Sequence, residues 1–144
     1  MTMQECKMAG MPWVSSYLCV LDVDKSVEFY KEAFGFVVVE DIIQNEEGKS
    51  VHCELKYQDS VVMIGLQGAW DNDVKTPLSS STPSPISLYV YCNNVDELCM
   101  HAEKNGAIVE QNPEDTFWGD RMCRLKDLNG YIWSFATHIS NKEH

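Results

Sequence analysis

A histidine and a glutamate two residues apart, His52 and Glu54, form a pair suited to acid–base chemistry. They lie in the run SVHCELKY at residues 50–57, where side chains two apart share one face of a β-strand. A neighbouring carboxylate keeps an imidazole able to exchange protons near neutral pH, so the pair is a candidate general base. A solvated strand face is the alternative, and a displaced metal site completed by His138 or His101 is a third interpretation.

Trp118, Asp120 and Arg121 form a second candidate cluster, directly after the loop-like stretch NPEDTF. A tryptophan at a cavity mouth offers a flat face for stacking a planar or cationic ligand, and the arginine fork can hold a carboxylate. A structural turn with an internal Asp/Arg interaction is the alternative.

Trp70 lies in residues 68–85, a segment rich in proline and serine and without periodicity. An aromatic residue in such a segment can act as a lid over a cavity. It can equally make a satellite hydrophobic contact beneath a long loop.

Several function classes lack the sequence features that they need. The motifs G-x-S-x-G, the Walker glycine loop and G-x-G-x-x-G are all missing. A formal charge of -11 disfavours nucleic acid and anionic membranes, although it could attract a cationic small molecule. Six cysteines without C-x-x-C spacing are expected to be buried thiols, and no apolar run has the length of a leader or a bilayer span. We therefore expect a cytoplasmic protein without nucleic-acid or membrane partners.

Hydrophobic periodicity predicts the element order βαβββ twice. In the first half the strands are expected in residues 13–23, 36–44, 50–57 and 60–67, with a helix over 24–35 that Asp22 or Asp24 caps and Gly35 ends. In the second half the strands are expected in 85–92, 107–111, 120–127 and 131–138, with a helix over 93–106 capped by Asn93.

The two halves are related by an offset of 71 residues, which places Gly35 over Gly106 and Asp22 over Asn93. A βαβββ unit has one helix and so leaves one face of its sheet uncovered. Two such units can bring their open faces together around a cavity. The sequence therefore predicts an α+β fold of two βαβββ modules, forming a curved mixed sheet around a cavity.

Two stretches resemble a known family. YLCVLDVDKSVEFYKEAFGF, residues 17–36, resembles the opening of the vicinal oxygen chelate superfamily, and WGDRMCRLKDLNGYIWSFATH, residues 118–138, resembles the closing hairpin of its glyoxalase, bleomycin-resistance and PhnB-like members. The resemblance covers residues 13–139 and implies a single domain, with module 1 at 13–67, a linker or flap at 68–85, and module 2 at 86–139. Residues 1–12 and 140–144 are then tails.

The resemblance also implies four metal-ligand positions, one on the first and last strand of each module. In this sequence they fall on Ser15, Ser87, Ser134 and the Ile64-Gly65 pair, none of which carries a carboxylate or an imidazole. A divalent ion needs such donors to offset its dehydration. We therefore expect no metal and no other cofactor, as in the metal-free, dimeric, ligand-binding branch that the sequence resembles.

Strand alternation from these positions places Tyr17, Cys19, Tyr89, Tyr91 and Ile132 towards the cavity, with Trp133 and Phe135 towards the helices. The leading hypothesis is a homodimeric binding protein for a small molecule, such as a cationic or aromatic drug or metabolite. Its expected ligand-binding residues are Tyr17, His52, Glu54, Trp70, Tyr89, Trp118, Arg121 and Ser134.

Two other classes stay open. One is a glyoxalase-like lyase or isomerase acting on a small carbonyl compound, with His52 or Glu54 as the base and Arg121 holding the oxyanion. The other is an interaction module without a ligand.

Overall fold

The computed structural model describes residues 6–140, which divide into two compact units. Unit 1 comprises residues 6–31 and 35–74, and unit 2 comprises residues 32–34 and 75–140. The division between Val74 and Lys75 falls inside the segment that the sequence marks as a linker. Within residues 6–140, no helix combines the length and the apolar character that crossing a bilayer requires.

Unit 1 contains a four-stranded mixed sheet in the order β1-β4-β3-β2. Strand β1 pairs in parallel with β4, and the other pairings are antiparallel. The elements are β1 (Ser16–Val20), α1 (Val23–Phe34), β2 (Val37–Gln44), β3 (Ser50–Tyr57) and β4 (Ser60–Leu66), with the last turn of α1 assigned to unit 2.

Unit 2 repeats this topology, with a second four-stranded sheet in the order β5-β8-β7-β6. Strand β5 pairs in parallel with β8, and the remaining pairs are antiparallel. The elements are α2 (Pro77–Ser80), β5 (Leu88–Tyr91), α3 (Val95–Lys104), β6 (Ile108–Asp115), β7 (Asp120–Lys126) and β8 (Ile132–His138). The α+β fold of paired βαβββ modules is confirmed.

Capping residues fix the ends of the two long helices. The side chain of Asp22 accepts a hydrogen bond from the Lys25 N–H, and Gly35 ends α1 in the left-handed conformation at φ 76°. In α3 the cap is Asn94, which accepts from the Glu97 N–H, so the prediction of Asn93 was wrong by one residue. Asn93 and Asn94 have the same side chain and can both cap a helix. Which of them does so depends on the backbone conformation, which the sequence does not give.

Each unit has its own buried core. In unit 1, Leu55, Ile64 and Val20 are fully buried, and Tyr30 stacks on Phe36. In unit 2, Trp133 and Phe135 are fully buried and both contact Phe34, the last residue of α1. The prediction that Trp133 and Phe135 lie in the core is confirmed.

Two segments differ from the sequence prediction. Strand β6 continues through Pro113 to Asp115, although NPEDTF has a loop composition. It is an edge strand with register shifts against β7, and these features accommodate a proline that cannot donate a hydrogen bond. The segment 68–85 contains the short helix α2, capped by Thr76 with Pro77 at its first position.

The turn between β7 and β8 holds the segment that contains α2. Asp127 accepts hydrogen bonds from the N–H groups of Asn129 and Tyr131 and from Trp133 Nε1, which orders the turn. The Leu78 N–H then donates to the Asn129 carbonyl at 3.0 Å. This main-chain hydrogen bond fixes the second part of the predicted linker to the turn. From here on, the flap means residues 75–85.

Candidate functional site

In unit 1 the candidate site is a chain of three side chains, Glu54, His52 and Tyr17. The Nε2 atom of His52 lies 3.5 Å from a Glu54 oxygen, and its Nδ1 atom lies 3.3 Å from the Tyr17 hydroxyl. The side chains of His52 and Glu54 are only 16% and 14% exposed, so they do not form an open solvated face. If the imidazole proton is on Nε2, towards the carboxylate, Nδ1 accepts a hydrogen bond from the Tyr17 hydroxyl.

Trp70 lies against the same part of the sheet. A Cβ added at Gly65 would lie 2.5 Å from the Tyr17 hydroxyl and 2.9 Å from Trp70 Nε1, so only glycine lets both rings approach. Tyr17, Trp70 and Cys19 line a pocket of about 170 Å³. This volume is smaller than that of an ordinary ligand site. Trp70 therefore forms a wall of a small pocket.

In unit 2 the candidate site is built around Asp120, whose residue surface is only 1% exposed. Its Oδ2 atom accepts hydrogen bonds from the Tyr89 hydroxyl at 2.7 Å, the Tyr91 hydroxyl at 2.8 Å and Trp118 Nε1 at 3.1 Å. Its Oδ1 atom lies 3.0 Å from His138 Nδ1. Because a carboxylate can only accept, that imidazole nitrogen carries the proton. Strand register explains the cluster, since Asp120 faces His138 across β7 and β8.

These contacts shift the ionisation of the cluster. Burial alone would raise the pKa of Asp120, but the hydrogen bonds from Tyr89, His138, Tyr91 and Trp118 outweigh it and lower the pKa to about 2. Burial and the hydrogen bond to Asp120 raise the pKa of Tyr89 to about 12. The bond to Asp120 also raises the pKa of Tyr91. At neutral pH the cluster therefore holds one carboxylate charge beneath neutral phenols.

The rings around this carboxylate remain accessible. Tyr89 is 43% exposed and Tyr91 is 52% exposed, and their ring centroids lie 5.5 Å apart. Trp118 packs edge-on against the exposed ring of Phe117 at 4.9 Å. We call Tyr89, Tyr91 and Trp118 with Asp120 the aromatic site of unit 2. It presents a stacking surface over a buried negative charge.

Arg121 is not part of this cluster, and the structure corrects the expectation that it lines the groove beside Trp118. Neighbouring residues on a strand face opposite sides, so Arg121 points away from Asp120. Its guanidinium binds Asp96 at the start of α3 through two nitrogens, at 2.8 and 3.0 Å, and binds Asp115 at 3.0 Å. The alternative interpretation, an internal Asp/Arg interaction, describes this arginine.

Ser134 is buried on the face that carries the aromatic site, paired in register with Tyr89 on one side and Arg124 on the other. Sequence reasoning gave no ligand-binding role to Tyr91 and named His138 only as a possible metal ligand. Tyr91 belongs to the aromatic site, and His138 contacts its carboxylate. The sequence did signal that Tyr89 and Tyr91 share one face of β5. Their common partner, Asp120, can be identified only from the pairing of β7 with β8.

The comparisons with known proteins identify the class. The model of the glyoxalase/bleomycin resistance protein/dioxygenase superfamily matches residues 10–135. The chain therefore belongs to this superfamily. Uncharacterized proteins of Mycobacterium bovis and Mycobacterium tuberculosis are each 29% identical over 130 residues, which is 89% of this chain and 84% and 75% of theirs.

Solved structures show the same fold at lower identity. TioX from Micromonospora sp. ML1 has a TM-score of 0.64 at 24% identity, covering 88% of this chain and 99% of that one. A superfamily enzyme from Burkholderia phytofirmans PsJN has a TM-score of 0.66 at 19% identity, covering 87% and 97%.

The four positions that the family resemblance assigns to metal ligands do not fit a metal ion in this chain. Ser15, Ser87 and Ser134 offer neutral hydroxyls, and Ile64 and Gly65 offer no side-chain donor. The space above Gly65 is filled by the rings of Tyr17 and Trp70. Across residues 6–140, no three side chains of His, Cys, Asp or Glu are grouped as metal ligands would be.

Proposed function

We propose that this protein binds a small planar organic cation at the aromatic site of unit 2. The observation that carries the proposal is the buried Asp120, which four aromatic or imidazole side chains hold in its charged form. Burial of a charge has a desolvation cost, and at Asp120 the hydrogen bonds from four side chains offset that cost. A ligand-binding role gives the arrangement a purpose.

Three physical effects favour a cation over a neutral ligand. The partly exposed rings of Tyr89, Tyr91 and Trp118 attract positive charge through their quadrupoles. Hydrogen bonds from the two phenols to a carboxylate polarise those rings further. The net charge of -11 adds a long-range attraction for cations.

A matched pair of probes tests this proposal: N-methylacridinium and neutral acridine, titrated at about pH 8 and followed by ligand fluorescence. We expect the cation to bind about tenfold more tightly than acridine, since this ratio corresponds to about 1.4 kcal/mol, which lies within the range of cation–π contacts. The Trp118→Ala and Tyr91→Ala variants should lose most of this affinity. Trp13→Ala removes an exposed tryptophan outside both sheets and serves as the control.

Added salt should weaken binding of the cation and leave acridine unaffected. Equal affinity for the two probes would refute the electrostatic part of the proposal. Binding that survives in Trp118→Ala would place the ligand elsewhere.

A second candidate function rests on the chain Glu54–His52–Tyr17. In this arrangement His52 can remove the Tyr17 proton while Glu54 stabilises the imidazolium, so Tyr17 could act as a general base towards a small carbonyl compound. It ranks second because Arg121, expected to hold the oxyanion, is already bound by Asp96 and Asp115.

This candidate is tested with the hemithioacetal of methylglyoxal and glutathione. An isomerase of this kind should lose about 100-fold or more of its rate in His52→Ala and in Tyr17→Phe. The conservative Glu54→Gln variant should lower kcat with little change in KM. Activity at the level of the uncatalysed reaction in the wild-type protein would remove the candidate.

A further inference from the structure

Unit 2 contains a cavity of about 570 Å³ between the flap and strands β7 and β8. This volume lies in the range of sites for small organic molecules. The side chains that matter for its chemistry are Leu78, Thr82, Pro83, Arg124, Lys126 and Ile132. Part of the wall is therefore aliphatic, and the rest is polar, with Ser81 and Glu110 beside two cationic groups on one strand.

The two cations differ in their partners. Lys126 Nζ lies 2.9 Å from a carboxylate oxygen of Glu110, which also lines the cavity, so these charges offset each other. Arg124 is exposed and makes no ion pair within residues 6–140. The other arginine, Arg121, binds two carboxylates. In a chain with 22 acidic residues, an arginine left unpaired in a cavity is available for a ligand.

We propose that this flap cavity binds an organic monocarboxylate, with the Arg124 guanidinium holding the carboxylate. The planar fork of arginine matches the two oxygens of a carboxylate, and the aliphatic part of the wall suits an apolar body. Glu110 and the overall negative charge oppose a dianion such as phosphate. The inference does not rest on the cation proposed for the aromatic site, since none of the residues is shared.

The flap makes the cavity a preformed one. The Leu78 N–H bond to Asn129 fixes the flap, and a Cβ at Gly130 would lie 2.8 Å from the Leu78 nitrogen. Such close backbone contact allows little freedom in the wall. A ligand then binds without the cost of ordering this segment.

The test uses the full chain labelled with nitrogen-15 and titrated with benzoate, benzamide and inorganic phosphate, followed by amide chemical shifts. Benzamide has the shape of benzoate without its charge. We expect benzoate to shift the amides of residues 76–82 and 124–132, with an affinity about tenfold or more above that of benzamide. Inorganic phosphate should leave these amides in place.

Three variants locate the interaction. Arg124→Gln should reduce benzoate affinity about tenfold or more, whereas Lys56→Gln, which removes the same charge from an exposed side chain of β3, should leave it unchanged. Thr82→Trp should block the cavity with Arg124 intact. Thermal unfolding of each variant verifies that it is folded.

The proposal is overturned if benzoate causes no shifts up to about 10 mM, or if benzamide binds equally well. It is also overturned if Arg124→Gln binds benzoate as the wild type does. Shifts caused by phosphate alone would reassign the cavity to phosphate. Failure of the acridinium probe would leave these outcomes unaffected, so the two proposals fail separately.

Discussion

Asp120 is the residue whose replacement should change the stability of the protein most clearly with pH. Its pKa of about 2 lies below the ordinary value of 3.8, so the folded state favours its charged form. That stabilisation is present above about pH 4 and is lost as the pH falls through about 2. From the shift, it amounts to about 2 kcal/mol. Asp120→Asn should therefore reduce the free energy of unfolding at pH 6, measured in urea, and this reduction should shrink towards pH 2.

Asp59→Asn is the matched control, because Asp59 is an exposed turn residue with the same charge. It should change the free energy of unfolding by less than about 0.5 kcal/mol at either pH. A difference between wild type and Asp120→Asn that stays constant from pH 6 to pH 2 would contradict the lowered pKa.

For individual residues, the sequence predicts contacts between side chains of one strand better than contacts between side chains of different strands. His52 and Glu54 share a face because side chains alternate along β3, and that prediction needed no partner strand. Asp120 and Arg121 are neighbours, and alternation alone states only that they face opposite sides. Which one faces Tyr89 depends on the register of β7 with β8, which is a long-range property.

Among the elements, the flap is the one whose position depends on a single glycine. Gly130 has φ at 91°, and an added Cβ would meet the backbone of Leu78. Gly130→Ala should therefore destabilise the protein by more than the roughly 1 kcal/mol that a left-handed backbone costs an alanine. It should also displace the flap, so hydrogen exchange at the Leu78 amide should become faster.

Gly48→Ala separates the two effects. Gly48 has a similar φ of 79°, but nothing lies within 4 Å of its added Cβ. This variant should show only the backbone cost, with normal exchange at Leu78. Equal losses of unfolding free energy in the two variants would mean that the flap does not press on Gly130.

Element order was predictable because local patterns encode it. The helix from Asp22 to Gly35 carries both of its end signals within its own sequence. Strand β6 was predicted too short because Pro113 indicates a loop, and only its edge position in the sheet permits it. Helix α2 was missed because a single turn gives no periodicity, although the Thr76-Pro77 pair is a typical helix start.

For the molecule as a whole, the repeated βαβββ order was the informative signal, because it predicted two modules with the same order of elements. The six cysteines are distributed over both units, and they differ in burial. Four of them, Cys19, Cys53, Cys99 and Cys123, are buried, Cys92 is half-buried and Cys6 is exposed. No disulfide joins cysteines within residues 6–140.

Thiol labelling should therefore distinguish one cysteine from the other five. Burial raises the pKa of Cys19, Cys53, Cys92 and Cys99, and raises that of Cys123 to about 12. Since the thiolate is the reactive form, iodoacetamide at about pH 8 should modify Cys6 alone in the native protein and all six in denaturant, as read by intact mass. The Cys6→Ser variant should show no native label. Rapid labelling of Cys19 in that variant would contradict the burial of this thiol, which lies 3.7 Å from the Val74 carbonyl oxygen.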